Sequence, residues 1–273
     1  MGLFGSKEDP EDLIYNAMGM MDKGQPKAAI ALFNKALKQD PKNSSALLNK
    51  GLALNQIRKY SDAITCFEKL LEINSKDAQA LNNKGIALAE MGNIQDASSC
   101  YEKAIEVDPK YAASYFNKGV LLDKLQEHQE ALDALEKAIQ IDSRKTNALI
   151  YRGIVLGKMK RHEEALTCFE NICKKFPNNQ DAFFQKGIQL AELGRHEDAI
   201  IVFDDILKKF KDNVNVTYAK SRSKAALGEF SESLNLLKQA INKQPKVIRN
   251  WAKEEPIFSK MHSDAEFRRL VKL

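Results

Sequence analysis

The chain has 273 residues, 29% of them charged, 44% hydrophobic and 8% aromatic, with a formal net charge of +5. No run approaches 18 apolar residues, which excludes a transmembrane helix. A 34-residue internal period overrides the one or two globular domains that this length would suggest, because self-similarity at such a spacing marks a stacked repeat array.

In chain order, residues 1–9 form a short leader, which we expect to be flexible. Its start, Met1-Gly2-Leu3-Phe4-Gly5-Ser6, matches the N-myristoylation pattern, although nothing else in the sequence demands the eukaryotic setting it needs. It has neither an apolar h-region nor a small-residue cleavage site, so secretion is not expected. Seven units follow, at 10–43, 44–77, 78–111, 112–145, 146–179, 180–213 and 214–247.

Number each unit from 1 to 34. Position 8 then reads Ala17, Gly51, Gly85, Gly119, Gly153, Gly187 and Ser221, and position 20 reads Ala29, Ala63, Ala97, Ala131, Ala165, Ala199 and Ser233. Position 24 carries Phe33, Phe67, Tyr101, Leu135, Phe169, Phe203 and Leu237. Glycine inside a helix costs about 1 kcal/mol against alanine, so its recurrence points to a close helix approach filled from position 24. Apolar residues at 4, 8 and 11 make one helical stripe, and those at 20, 21, 24, 27 and 28 make a second. A turn lies between them, with Gly24, Gly92, Gly194 and Gly228 at position 15, and Pro41, Pro109, Pro177 and Pro245 at position 32 end second helices. Each unit is thus a helical hairpin that buries its stripes only by stacking on neighbours.

These residues resemble the tetratricopeptide repeat (TPR) family, with its small residues at 8 and 20, aromatic at 24 and proline at 32, over residues 10–247. The resemblance implies an all-α fold, a right-handed α-solenoid of seven hairpins, and a non-enzymatic protein-interaction scaffold in the cytoplasm. The seventh unit departs from the pattern at Thr217, Ser221 and Lys224, which puts the packing of its first helix in question. Residues 248–273 continue the frame with Trp251 at position 4 until Pro256, and read as a C-terminal capping segment anchored by Trp251 and Phe267.

In such arrays the first helices line a concave groove. Positions 5 and 9 lie opposite the buried stripe and are largely apolar, which marks a partner site, or else a narrower groove in which neighbouring repeats partly cover position 9. The candidate contacts are Leu48, Leu52, Asn82, Ile86, Phe116, Val120, Ile150, Ile154, Phe184, Ile188 and Tyr218. Asn49, Asn83 and Asn117 at position 6 form a column of amides suited to a ligand backbone, resembling the asparagine ladder of some TPR grooves. The partner expected is a peptide segment or an amphipathic helix; the array could also pair with itself. The chaperone-tail clamp of the family needs Lys at 5 and Asn at 9, and no unit has either.

Position 7 is basic in six units, at Lys50, Lys84, Lys118, Arg152, Lys186 and Lys220: a solvated ridge, or a track for an acidic partner. Net charge by unit runs +1, +1, −2, −1, +3, −2 and +4, and this interruption disfavours nucleic acid. A nucleic-acid adaptor using the ridge, or a non-catalytic subunit of an enzyme complex, are the competing readings. His128, His162 and His196 recur at position 17 beside Tyr60 and Phe230, so they read as packing residues and not as metal ligands. No nucleotide, zinc-protease or nucleophile-elbow motif appears, so no cofactor, metal or catalytic residue is expected. Cys66, Cys100, Cys168 and Cys173 read as small buried residues of a reducing compartment.

Overall fold

The computed structural model describes residues 8–144 and 146–272. Gly2 and its lipidation pattern lie outside the described residues. Glu8 and Asp9, which we had placed in a flexible leader, are held: Gln39 Nε2 donates to the Glu8 carbonyl at 2.9 Å, and Asp9 Oδ1 accepts from the Glu11 N–H at 2.9 Å.

Packing divides the chain into two units with the division between Lys145 and Thr146, where the sequence pattern alone suggested one continuous array. The cut falls between two hairpins. In a stack where each hairpin touches only its neighbours, such boundaries are where few contacts cross. The first unit holds α1 (Pro10–Asp22), α2 (Pro26–Gln39), α3 (Ser44–Gln56), α4 (Tyr60–Ile73), α5 (Ala78–Glu90), α6 (Ile94–Val107), α7 (Ala112–Lys124) and α8 (His128–Ile141). The second holds α9 (Thr146–Lys158), α10 (His162–Lys175), α11 (Gln180–Glu192), α12 (His196–Lys209), α13 (Val214–Ala226), α14 (Phe230–Lys243), α15 (Pro245–Glu254), a 3-10 turn (Pro256–Met261) and α16 (Ala265–Val271). Each unit is an all-α solenoid of stacked antiparallel hairpins.

Local chemistry sets the helix limits. Asn43, Asp77, Asn179 and Asn213 precede first helices, and each side chain accepts the N–H three residues on, a cap worth about 0.5–2 kcal/mol. The turn inside every hairpin needs one left-handed residue at position 15. Gly24, Gly92, Gly194 and Gly228 supply it without strain, whereas Arg58, Gln126 and Lys160 adopt positive φ at a cost of about 1 kcal/mol or more.

The hairpin core is the contact between positions 8 and 24. Phe33, Phe67, Phe169 and Phe203 are fully buried. A Cβ built on Gly51 would lie 2.4 Å from Phe67 Cε1, and one on Gly187 would lie 2.4 Å from Phe203 Cε1. Hairpins then stack through positions 3 and 10 of the first helix, buried as Ala46 with Ala53, Ala80 with Ala87, and Ala182 with Gln189. In α1 these positions are Asp12 and Gly19, and Asp12 is exposed.

In the seventh hairpin, hydroxyl residues replace apolar ones or glycine: Thr217 Oγ1 donates to the Asn213 carbonyl and Ser233 Oγ to the Ser221 carbonyl, both at 2.9 Å, while Ser221 Oγ is buried without a partner. Pro245 both follows the second helix and opens α15, where its fixed φ and missing N–H suit the first turn. The tail buries Ile248, Ala252, Phe258, Met261, Phe267 and Val271 in one cluster with Leu237 and Ile241. Trp251, read from sequence as an anchor, is 44% exposed; Phe258 fills that role.

Gly187→Ala forces a methyl into the Phe203 ring and should destabilise the fold by about 1–3 kcal/mol. Gly19→Ala meets no atom within 4 Å and should instead stabilise by roughly 0.5–1 kcal/mol. Urea unfolding of the two variants checks both signs.

Candidate protein-interaction face

First helices pack directly on one another within each unit, α1 on α3, α3 on α5 and α5 on α7 in the first, α9 on α11 and α11 on α13 in the second. Residues at positions 5 and 9 therefore gather into one continuous face per unit. In the first unit Leu48 and Leu52 of α3, Ile86 of α5, and Phe116 and Val120 of α7 are all half-buried. In the second unit Ile150 and Ile154 of α9 and Phe184 and Ile188 of α11 are likewise half-buried, with the Phe184 ring 6.2 Å from that of Phe203. The first face extends at its start to Met18, which is exposed, and to Tyr15 at position 6, the most exposed large hydrophobic residue described (79%).

Two predicted contacts leave this face. Asn82 is only 3% exposed, and its Oδ1 accepts from Asn117 Nδ2 at 2.8 Å and from Ser114 Oγ at 3.4 Å. An amide in the apolar column is sequestered by the next hairpin because its polar atoms find partners there. Tyr218 is 8% exposed, roofed by Trp251 at a centroid distance of 5.5 Å and by Phe258 at 6.2 Å. Below it Arg222, at position 9, pairs with Glu192 at 3.2 Å and with Glu255 of the tail at 2.6 Å. The tail thus covers the first-helix face of α13.

The asparagine column is also partly engaged. Asn49 Nδ2 donates to the Ser45 carbonyl at 2.9 Å and Asn83 Nδ2 to the Gln79 carbonyl at 2.8 Å, each within its own helix. Asn117 bonds to Asn82. These bonds use one N–H of each amide to hold its helix or its neighbour, and leave the Oδ1 and the second N–H to meet a ligand.

The basic ridge at position 7 is paired with the preceding hairpin. Lys84 meets Glu68 at 2.8 Å, Lys118 meets Glu102 at 3.0 Å, Lys186 meets Glu170 at 3.2 Å and Lys220 meets Asp204 at 2.5 Å. Every pair spans 16 residues, from position 25 of one unit to position 7 of the next. Sequence reading missed the acidic partners, although that spacing is legible once the two columns are set side by side. The thiols of Cys66 and Cys100 are buried and pushed up by desolvation, and that of Cys173 is pushed up to about 11, so none is poised as a nucleophile. Among the described residues no group of three or more His, Cys, Asp or Glu side chains could hold a metal ion, and no helix is long and apolar enough to cross a membrane.

Three family models match the chain: the N-terminal TPR repeats region of Psidin at residues 13–117, and two tetratricopeptide repeat models at 112–145 and 152–214. A tetratricopeptide repeat protein from Parabacteroides merdae shares the fold at a TM-score of 0.68 with 18% identity, over 89% of this chain and 97% of that one. YrrB, whose crystal structure is described as that of a TPR protein with an unusual peptide-binding site, is 26% identical over 68% of this chain and 97% of its own, with a TM-score of 0.55. MamA is 28% identical over 58% of this chain and 93% of its own, with a TM-score of 0.51. Among curated proteins none matches the chain in sequence. The fold defines a helical-repeat protein. More particularly, the chain belongs to the tetratricopeptide repeat proteins, a family that generally mediates protein–protein interactions through non-catalytic scaffolds.

The recurring histidines sit in three different polar settings. His128 Nδ1 lies 3.1 Å from Oδ1 of the buried Asp123, and His162 Nδ1 lies 2.9 Å from Gln189 Oε1. For His196 the residue corresponding to Gln189 is Ser223, whose side chain is too short to reach. His196 Nδ1 and Ser223 Oγ are both buried without a protein partner. Burial first, then the nearby Arg222 charge, lowers the His196 pKa below its usual 6.5. With the folded pKa depressed, the unfolded chain binds more protons between the two values, so stability rises with pH there and is lost as pH falls through that window. The urea midpoint should drop between pH 7 and 5, about the range of an unperturbed imidazole, and His196→Gln should lessen that drop. An equal drop in both proteins removes His196 as its source.

Proposed function

We propose that the chain is a non-enzymatic scaffold that captures a segment of a partner protein, extended or as an amphipathic helix, on its first-helix faces. The observation that carries this reading is that nine apolar side chains on the first-helix faces stay only half-buried, although Leu48, Leu52, Ile86, Phe184 and Ile188 also rest partly on the hairpin cores. In the first unit Leu48, Leu52, Ile86, Phe116 and Val120 supply the contact area; in the second, Ile150, Ile154, Phe184 and Ile188 do so. Their spacing, two residues per helix on neighbouring helices, suits apolar anchors at i, i+3 or i+4 of a partner helix.

YrrB, a relative by fold and by 26% identity, has a peptide-binding site, which supports a peptide as the ligand class. The ion pairing of the position-7 lysines argues against the ridge as a nucleic-acid track, since those charges already face carboxylates. The buried thiols of Cys66, Cys100 and Cys173 fit a reducing compartment such as the cytoplasm, although Cys168, expected to be buried as well, is only half-buried.

Phe116→Asp and Phe184→Asp, made separately, should each reduce recovery of co-purifying partner by about tenfold or more, with the helical circular dichroism retained. Unchanged recovery from both folded variants would falsify the proposal, and loss in only one assigns the partner to that unit.

A further inference from the structure

The second unit carries a feature that the hairpin fold does not call for. The residue that closes each second helix, position 31, is Asp40, Asn74, Asp108 or Asp142 in the first unit. Each of these side chains accepts the backbone N–H two residues on, at 3.2, 3.2, 2.9 and 3.1 Å, and so fixes the turn into the next hairpin. In the second unit the same position is Phe176 and Phe210, each preceded by two lysines. Phenylalanine forfeits the turn bond. At Phe210 it gains little burial in return, being 48% exposed.

Phe210 borders a cavity of about 460 Å³ between the end of α12 and the turn before α11, whose apolar walls are Pro177, Phe183, Ile206 and Phe210 and whose rim includes Lys208 and Lys209. One hairpin further on, Thr217 and Gln244 stand where Phe183 and Phe210 stand here, and the cavity at that end shrinks to about 210 Å³ lined largely by polar groups. The cavity at the turn before α11 is thus larger and more apolar than that at the turn before α13.

Charge follows the same edge. Lys174 and Lys175 end α10, Lys208 and Lys209 end α12, Lys211 lies in the next turn and Lys243 ends α14. The edge is continuous in space, because Lys243 reaches Asp212 across the turn at 3.0 Å. Its acidic neighbours are Asp205, held by Lys208 at 2.8 Å, Asp212, held by Lys243, and Asp181 in the first turn of α11. Glu197 and Asp198, which make the sixth repeat acidic by count, lie in the first turn of α12, about 20 Å from its last turn. The edge as a whole keeps a basic excess, six lysines against the carboxylates of Asp181, Asp205 and Asp212.

We infer that this edge is a second protein-docking site, separate from the first-helix faces, which takes an acidic peptide segment carrying one bulky apolar side chain. The apolar side chain enters the cavity beside Phe210, and the flanking carboxylates meet the lysines at the ends of α10 and α12. A concave apolar cavity with Lys208 and Lys209 along one side fits a side chain better than a flat bilayer, and lysine lacks the planar fork with which arginine reads phosphates bidentately.

The test uses the full chain and two fluorescein-labelled decapeptides of Asp and Glu, one with a central Phe and one with a central Ala, read by anisotropy. The Phe peptide should bind roughly tenfold tighter than the Ala peptide, and Phe210→Asn should abolish that preference. Asparagine already closes the same turn at position 74, so this variant keeps the fold, which an unchanged urea midpoint verifies. Lys208→Gln with Lys209→Gln should weaken both peptides and flatten the salt dependence. Phe184→Asp should leave this binding intact, which separates the site from the first-helix face. Equal affinity for the two peptides, no effect of Phe210→Asn, or tighter binding of a polyuridine oligonucleotide or of phosphatidylserine vesicles overturns the inference.

Discussion

Everything in this molecule depends on the contact between a residue without a side chain at position 8 and a large one at position 24 of the same hairpin. The space a Cβ would need at Gly51, Gly85, Gly153 and Gly187 is already occupied by the ring of Phe67, Tyr101, Phe169 or Phe203 at 2.4–2.6 Å. That fit brings the two helices of a hairpin together, and their closeness keeps position 20 small, alanine in six hairpins and Ser233 in the seventh. Because each hairpin repeats the same fit, each presents the same pair of surfaces to its neighbours. Stacking then follows from geometry and not from any particular pairing of side chains.

A stack built on identical surfaces has no internal reason to stop, so its ends must be made different. At the start, Asp12 and Gly19 occupy the positions that are buried alanines in α3 and α5. At the other end the solution is the tail, which folds Phe258, Met261 and Phe267 onto the seventh hairpin. The tail reaches further than the stacking surface. Through Trp251 and the Arg222–Glu255 pair it also covers the face of α13 that would otherwise continue the apolar column. Closing the array therefore shortens the binding face by one hairpin, and Ile188 is the last apolar residue it offers.

The parts of this design that were legible in the sequence are those with a fixed period. Small and large residues recurring every 34 positions disclose the hairpins, and the apolar positions 5 and 9 disclose the face. What escaped depends on one residue's departure from its column. Asn82 stands in a column of Leu, Ile and Phe, yet a neighbouring amide and hydroxyl give it partners that draw it into the interior. Trp251 keeps the frame of an eighth repeat, but Pro245 starts its helix early and Pro256 ends it, so the indole lies against Tyr218 half in solvent. A periodic signal describes the average position. Local hydrogen bonding and the tail's own folding decide the exceptions.

The same distinction governs the charges. Adding charge along the chain mixes groups from opposite ends of antiparallel helices, so a hairpin with a basic end and an acidic end sums to little. Position-7 lysines sit opposite carboxylates one hairpin back, at distances of 2.5–3.2 Å, and that pairing is built into the repeat by the acid at position 25. Such partly exposed pairs contribute about 0–1 kcal/mol each, so they align hairpins and neutralise the ridge more than they stabilise it. Lysines at the ends of α10 and α12 have a different partner in the helix dipole, which favours positive charge at a C-terminus without cancelling it at long range. The repeat thus silences the charges it places between hairpins and leaves those at helix ends facing outward. A charged ligand should accordingly be sought at the edges of the second unit, and an apolar one on the faces of α3, α5 and α7 and of α9 and α11.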